Sequence, residues 1–421
     1  MRLFSAALLA CIVSLAPNGS EPALAQAKKG RDLAAECAKP VFAKNNPRSC
    51  APYAEKKPVE VEKPPEQPSR PDFTADDQAA AIIPGVPDAR FWADSEKDFL
   101  AALPATPGPW LALSTGGGDG AFGAGLLNGW SESGKRPEFS VVTGVSTGSL
   151  MAPYAFIGSS QDGGLKRAYT EYNAGDIFED TKTPESLVDT WPLKRLIAKE
   201  VTPELLAQVA EQHRRGRRLF VATTNLDAQR GVIWNMGAIA VKGDEAALKL
   251  FRDVLQASTA IPGLFPPALI DVEVNGKKNQ EMHADGGLSA QVYVAPESVL
   301  NTSSTTKLPA SALYLIANNR LTSEFQMTER SLIFVVGHSI AVGVQSMLRI
   351  NIDRAYAAAR RSGVPFYLSY PALSSDQQGK GAFDTEFMKG LFEAGVARGR
   401  GESPFVQESG EALRGSLPAG K

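Results

Sequence analysis

The five residues Gly144 to Gly148, "GVSTG", place a serine between two glycines at the exit of an apolar run. A GxSxG of this kind marks a sharp strand-to-helix turn that lifts a serine hydroxyl clear of the backbone, where it can attack an acyl carbon. The preceding "FSVV" and the following "SLMAPYAF" supply the strand and helix that such a turn needs. A nucleophilic Ser146 requires a base within hydrogen-bond reach and donors for the oxyanion that its attack creates. The candidate base is Asp285 in "EMHADGGLSA", where Gly286 and Gly287 leave room for the acid to approach another loop. The same Asp-Gly-Gly is also ordinary turn chemistry. Candidate oxyanion donors lie upstream in "WLALSTGGGDGAFGAGLL", Trp110 to Leu127: the backbone amides of Gly117, Gly118, Asp119 and Gly120. They stand at the head of a small-residue helix, whose positive end favours an anion. These glycines could equally serve close helix–sheet packing, or do both.

Other chemistries fit less well. Gly118, Gly120 and Gly123 spell GxGxxG. A dinucleotide site also needs an acid about 20 positions on, at the end of the next strand. That count arrives at Val142–Gly144, where no acid stands and the serine turn follows instead. An NAD-dependent enzyme is therefore disfavoured. The chain has three histidines. His213, in "EQHRRGRR", reads as a solvated residue of a charged turn. His338 reads as a packed residue in mid-helix, and a conventional triad through it is an alternative. His283 would share a strand face with Asp285 as a neighbour. Histidines and cysteines are too sparse for a metal site, and nothing calls for a cofactor. A net charge of −2 argues against nucleic acid as the main partner.

The elements that must carry these groups alternate between strand-like and helix-like. Strands are expected at 110–114, 139–144, 218–226, 231–236, 312–319 and in "VPFYLSY"; the pair at 218–226 and 231–236 could be adjacent. Helices are expected in "FGAGLLNGWSES", "STGSLMAPYAFIG", 244–259, 328–362 with a possible kink, and "DTEFMKGLFEAGVARGRG". This alternation favours an α/β architecture with a mostly parallel sheet. Residues 190–218 carry amphipathic helix patterns, with Thr202 as N-cap and Pro203 at the first helical position. The basic end of that segment could meet anionic headgroups or be a plain solvated helix end. Met151, Tyr154 and Phe156 could line an acyl channel or belong to the core.

The N-terminus reads as a secretory signal: Arg2, an apolar core from Leu3 to Ala16, and small residues at Ala23 and Ala25, with cleavage after Ala25. "LLAC" up to Cys11 partly fits a lipoprotein signal, but apolar residues continue past it, which suits the middle of the apolar core. Cys37 and Cys50 then remain and could pair. Residues 26–71 are polar and end in a proline-rich lead-in. The compact region is expected over 72–405, followed by a short tail over 406–421.

Taken in order, the glycine-rich loop, GVSTG and ADGG resemble the patatin-like phospholipase family. "ASTAIPGLFPP" (Ala257 to Pro267) and "TTNLDAQRGVIWNMGAIA" are similar to bacterial members too, so that the likeness covers roughly residues 105–400. The resemblance implies a three-layer α/β/α sandwich and a Ser–Asp dyad without histidine, with Ser146 as nucleophile and Asp285 as base. It also implies lipid acyl esters as substrates, and the N-terminal signal segment adds the expectation of an exported hydrolase, periplasmic or secreted, able to act at a lipid surface. A catalytically silent lipid- or protein-binding module on the same fold is the alternative. One departure stands out: many members carry Arg or Lys two residues after the glycine triplet, where this chain has Gly120.

Overall fold

The computed structural model describes residues 70, 72–180, 185–322, 325, 327–372 and 381–407. The expected signal segment, Cys37 and Cys50 lie outside them.

The framework is a nine-stranded sheet. Its strands are β1 (Arg90–Trp92), β2 (Pro109–Leu113), β3 (Val141–Val145), β6 (Arg218–Asn225), β7 (Arg230–Asn235), β8 (Ala268–Val274), β9 (Lys277–Asp285), β10 (Ala312–Ile316) and β11 (Phe366–Ser369); β4 (Glu179–Asp180) and β5 (Val188–Asp189) form a separate small ribbon. The order is β1-β7-β6-β3-β2-β10-β11. β6, β3, β2, β10 and β11 run parallel, while β7, β1 and the β8–β9 hairpin are antiparallel. The adjacency of β6 and β7 agrees with the sequence reading; β1 and the β8–β9 hairpin are additions to it.

Central strands such as "PWLAL" and "VVTGV" are short apolar runs because helices cover both of their faces. Alternate side chains go to opposite layers. Leu111, Leu113 and Val142 enter one core, and Trp110, Ala112 and Val141 enter the other. The first layer contains α1 (Gly120–Glu132), α2 (Thr147–Ile157), α3 (Asp162–Thr170), α4 (Trp191–Glu200), α5 (Pro203–Arg214) and α6 (Glu245–Ser258). The second layer holds the inner half of α7 (Leu332–Ser362) and the segment Val292–Ala295, while α8 (Thr385–Arg400) returns to the first. The result is a three-layer α/β/α sandwich.

Local signals explain the boundaries. Thr202 caps α5 by accepting from the Leu205 amide (3.3 Å), with Pro203 at the first position. α7 is a single helix of 31 residues ending at left-handed Gly363 (φ 70°). At the C-terminus Val406 pairs with Leu368, one residue beyond the expected domain edge.

Candidate active site

Ser146 occupies the turn between β3 and α2 with φ 55° and ψ −124°. A non-glycine residue held there stores on the order of 1–3 kcal/mol of strain, which the surroundings must over-determine. They do so with several hydrogen bonds. The Ser146 amide donates to Ser258 Oγ (3.1 Å), which itself donates to the Ala222 carbonyl (2.8 Å). The Ser149 amide (2.8 Å) and hydroxyl (2.6 Å) both donate to the Ser146 carbonyl. Gly144 and Gly148 face each other across the turn, and a side chain on Gly148 would strike the carbonyls of Leu113 and Ser114 at 2.4 and 2.7 Å.

The sheet brings Asp285 to this serine by an end-to-end meeting of two strands. β3 runs up one edge of β6 and stops at Val145, paired with Ala222. β9 comes down the same edge from the other direction and stops at Asp285, paired with Thr223. The two strand ends therefore abut over consecutive β6 residues. Gly286 packs against the Ala222 carbonyl, where a Cβ would lie 2.4 Å away. Ser146 and Asp285 are 6% and 5% exposed. Burial pushes the Asp285 carboxyl up from 3.8 to about 7, against hydrogen bonds from the Ser146 hydroxyl and the Gly287 amide that pull it down. The Gly287 bond to Oδ1 is 2.7 Å long.

No histidine takes the place of this acid. His283 is fully buried, with Nδ1 2.9 Å from Thr223 Oγ1 and Nε2 3.0 Å from Glu281 Oε2. Arg90 binds the same Glu281 carboxylate with both terminal nitrogens. The network braces β9 rather than joining the serine. His338 lies on the outer half of α7, with Nδ1 2.6 Å from Thr328 Oγ1. His213 corrects the sequence reading: it is half-buried rather than solvated, and burial with Arg218 and Arg214 nearby lowers it to about 4.

The glycine loop forms a short 3₁₀ turn, Gly117–Asp119, leading into α1. Two of the four candidate amides are already committed: Asp119 donates to the Gly116 carbonyl (3.0 Å), and Gly120 to those of Gly117 and Gly118. The amides of Gly117 and Gly118 are the loop's remaining donors. The departure at Gly120 also has a physical reason. A Cβ there would meet Thr147 Oγ1 at 2.4 Å and the Tyr169 ring at 2.8 Å. Tyr169 fills that space and bonds Thr147 Oγ1 (2.6 Å) and the Thr147 carbonyl (2.9 Å). A cationic side chain is sterically excluded. The positive charge acting on the loop is instead Arg320, which offsets in part the burial that raises Asp119 to about 7.

Residues that the sequence reading did not single out tie the loop to the acid. Thr115 donates to Gln291 Oε1, and Gln291 Nε2 donates to the Gly287 carbonyl (2.7 Å). Asn319 Nδ2 donates to the Thr115 carbonyl (3.2 Å), and Asn318 Nδ2 to that of Ser114 (2.9 Å). Thr115, Gln291 and Asn318 lie some 200 residues apart at the extremes, and only the fold assembles them.

An apolar pocket of about 80 Å³ opens beside the pair, bordered by Gly117 and Thr147. It follows α2 past Leu150, Pro153 and Tyr154 and is closed by Leu193, Ile197 and Met388. Of the three sequence candidates Tyr154 lines it, whereas Met151 and Phe156 are core. The basic end of residues 190–218 lies elsewhere. Arg217 turns inward, with Nε on the Phe139 carbonyl (2.6 Å), and Arg218 opens β6 at the sheet edge opposite Ser146. Those two cations are therefore not available to headgroups at the site. Among the described residues no group of His, Cys, Asp and Glu is arranged to hold a metal.

A mostly parallel sheet carries a strained serine turn at a strand end with a glycine loop beside it, an arrangement that can present a nucleophilic hydroxyl. The family model of patatin-like phospholipases matches residues 111–296. The matched span begins in β2 and contains the glycine loop, Ser146 and Asp285. Among solved structures, a crystal structure of VipD from Legionella pneumophila matches at 10% identity and a TM-score of 0.38, over 70% of this chain and 67% of that one. No curated protein matches the chain.

Proposed function

We propose that the protein is a serine lipid acyl hydrolase that cleaves fatty acyl esters through Ser146 and Asp285. The observation that carries the reading is the strained Ser146 turn abutting a buried Asp285 over consecutive β6 residues, beside an apolar pocket bordered by Gly117 and Thr147. Asp285 takes the serine proton as Oγ attacks the ester carbonyl. The amides of Gly117 and Gly118 hold the oxyanion, and each such donor is worth roughly 2.7–4 kcal/mol of barrier. The proton passes from Asp285 to the leaving alcohol, and an acyl-enzyme forms. Water, deprotonated by Asp285, then attacks the acyl carbon; the Ser146 Oγ–acyl bond breaks, Asp285 returns the proton to Oγ, and the fatty acid is released. A carboxyl raised to about 7 is a stronger base than an ordinary aspartate and suits catalysis near neutral pH. The apolar pocket accommodates the acyl chain. The leader sequence supports action outside the cytoplasm.

The competing reading is a silent binding module. Fluorophosphonate labelling of the mature protein separates the two: labelling that disappears in Ser146→Ala supports hydrolysis, and an unreactive wild-type serine refutes it. A panel of phospholipids and simple esters then identifies the substrate and the position cleaved.

A further inference from the structure

α7 joins parallel strands β10 and β11, so it must run antiparallel to them across one face of the sheet. β10 has five residues and spans roughly 17 Å. A helix needs about eleven residues to return over that distance. α7 has 31 residues and is roughly 46 Å long. Its C-terminal end is fixed: Gly363 stops the helix just before β11, and Leu348, Ile352, Ala355, Ala358 and Ala359 are buried in the second core. The excess length must therefore overshoot at the other end, beyond the strand C-termini where Ser146 lies.

Hydrogen bonds place the point of departure. The Gln291 amide donates to Asn351 Oδ1 (2.8 Å), and Gln291 is the residue that braces the Asp285 loop. Gln345 Nε2 donates to the Thr322 carbonyl (2.9 Å), three residues past Asn319. From Gln345 back to Leu332 the helix extends roughly 20 Å past the level of the site.

This outer half is apolar and uncovered. Leu332 is 81% and Val342 63% exposed, and Val335, Val336 and Ile340 are exposed as well. Residues 339–343 are consecutively exposed, more than one full turn, so the helix is open on every side there, while Gly337 before them is buried. Between Arg330 and Arg349 there is no Asp, Glu, Lys or Arg. A helix apolar all round requires an apolar surround.

We propose that the outer half of α7 docks the protein on a lipid surface by burying in its acyl region beside the active-site mouth. A bilayer encloses a projecting rod on all sides, which a flat protein surface does not, and the rod leaves the sandwich at the strand C-terminal edge that carries Ser146, a site that, on the function proposed above, takes lipid esters. His338, Ser339, Gln345 and Ser346 interrupt the apolar run, and the inner half is committed to the core. Among the described residues no helix is long and apolar enough to cross a membrane. The contact is therefore interfacial.

The test is flotation of the mature protein with phosphatidylcholine vesicles containing phosphatidylglycerol. Wild type should float, and the triple variant Val336→Asp, Ile340→Asp, Val342→Asp should lose at least tenfold in partitioning. Hydrolysis of a water-soluble short-chain ester should be unchanged within twofold, which also reports an intact fold. Undiminished flotation of the triple variant overturns the proposal. So does a wild-type dimer that becomes a monomer in the variant while flotation persists, since a second copy would then cover the helix. Flotation does not need turnover: a protein that floats through α7 but hydrolyses nothing refutes the function and keeps the docking. If the triple variant misfolds, Leu332→Trp with brominated lipids decides. Added quenching relative to wild type supports insertion, and none refutes it.

Discussion

Asp285→Asn isolates the electrostatic state of the proposed base. The replacement keeps the shape: its oxygen can still accept from the Gly287 amide and its nitrogen can donate toward Ser146. Only the titration disappears. In the folded protein the carboxyl sits at about 7, against an ordinary 3.8. The folded state thus keeps a proton that the unfolded state releases, so wild-type stability falls as pH rises through this window and levels off above about 7. Below 3.8 both states are protonated and the penalty vanishes. At about 1.4 kcal/mol per unit, the full penalty above pH 7 is on the order of 4 kcal/mol, and at pH 5 it is on the order of 1–2 kcal/mol. The asparagine variant should therefore be the more resistant protein at pH 8, with a lead about 3 kcal/mol larger than at pH 5. Urea unfolding followed by tryptophan fluorescence at both pH values measures the difference. The variant should be inactive, and wild-type kcat/KM should rise with pH along a limb near 7. A stability gap equal at the two pH values, or a limb near 4, would refute the argument that burial governs this carboxyl.

Three further outcomes follow from the site. Ser146→Gly should be inactive yet more stable than Ser146→Ala by about 1 kcal/mol, because glycine tolerates φ 55°, ψ −124°; thermal unfolding that ranks them the other way contradicts a strained turn. Gly120→Arg, which restores the cation of the wider family, should abolish activity and destabilise by about 1–3 kcal/mol, because Thr147 and Tyr169 already occupy its space. Wild-type kcat/KM in that variant would show that the loop can open. His338→Ala should leave kcat/KM within twofold, and a loss matching that of Ser146→Ala would establish a histidine triad instead.

The residues of the proposed chemistry were legible because each sits at a break in an otherwise regular pattern: a serine between glycines after an apolar strand, an acid before two glycines. Their meeting was not, since it depends on β9 ending against β3 on a shared β6 edge. β9 itself escaped the periodicity reading. "KKNQEMHAD" looks polar, yet its second half is largely buried, with Glu281 and His283 fully enclosed because Arg90 and Thr223 satisfy them. Polar patterning signals exposure only when no partner waits inside. Arg320, Gln291 and Asn319 were invisible for the related reason that their partners are remote in sequence.

α7 shows the same limit from the other side. Residues 328–362 carry one apolar helical signal, which reads as one long helix with a possible kink and does not separate its two halves. The fold gives its two halves opposite fates. The inner half meets the sheet through Leu348, Ile352 and Ala355, and the outer half, apart from contacts such as His338 with Thr328 and a buried Gly337, is largely exposed among the described residues. Periodicity reports that a face avoids water, not what replaces the water. Strand length supplies the missing information: five-residue β10 can cover only the inner third of a 31-residue helix, and the remainder must leave the sandwich. It leaves at the C-terminal edge of the parallel strands, the edge that carries Ser146. The geometry of the crossover therefore sends an exposed apolar helix out of the same strand C-terminal edge as the group proposed to attack lipid esters.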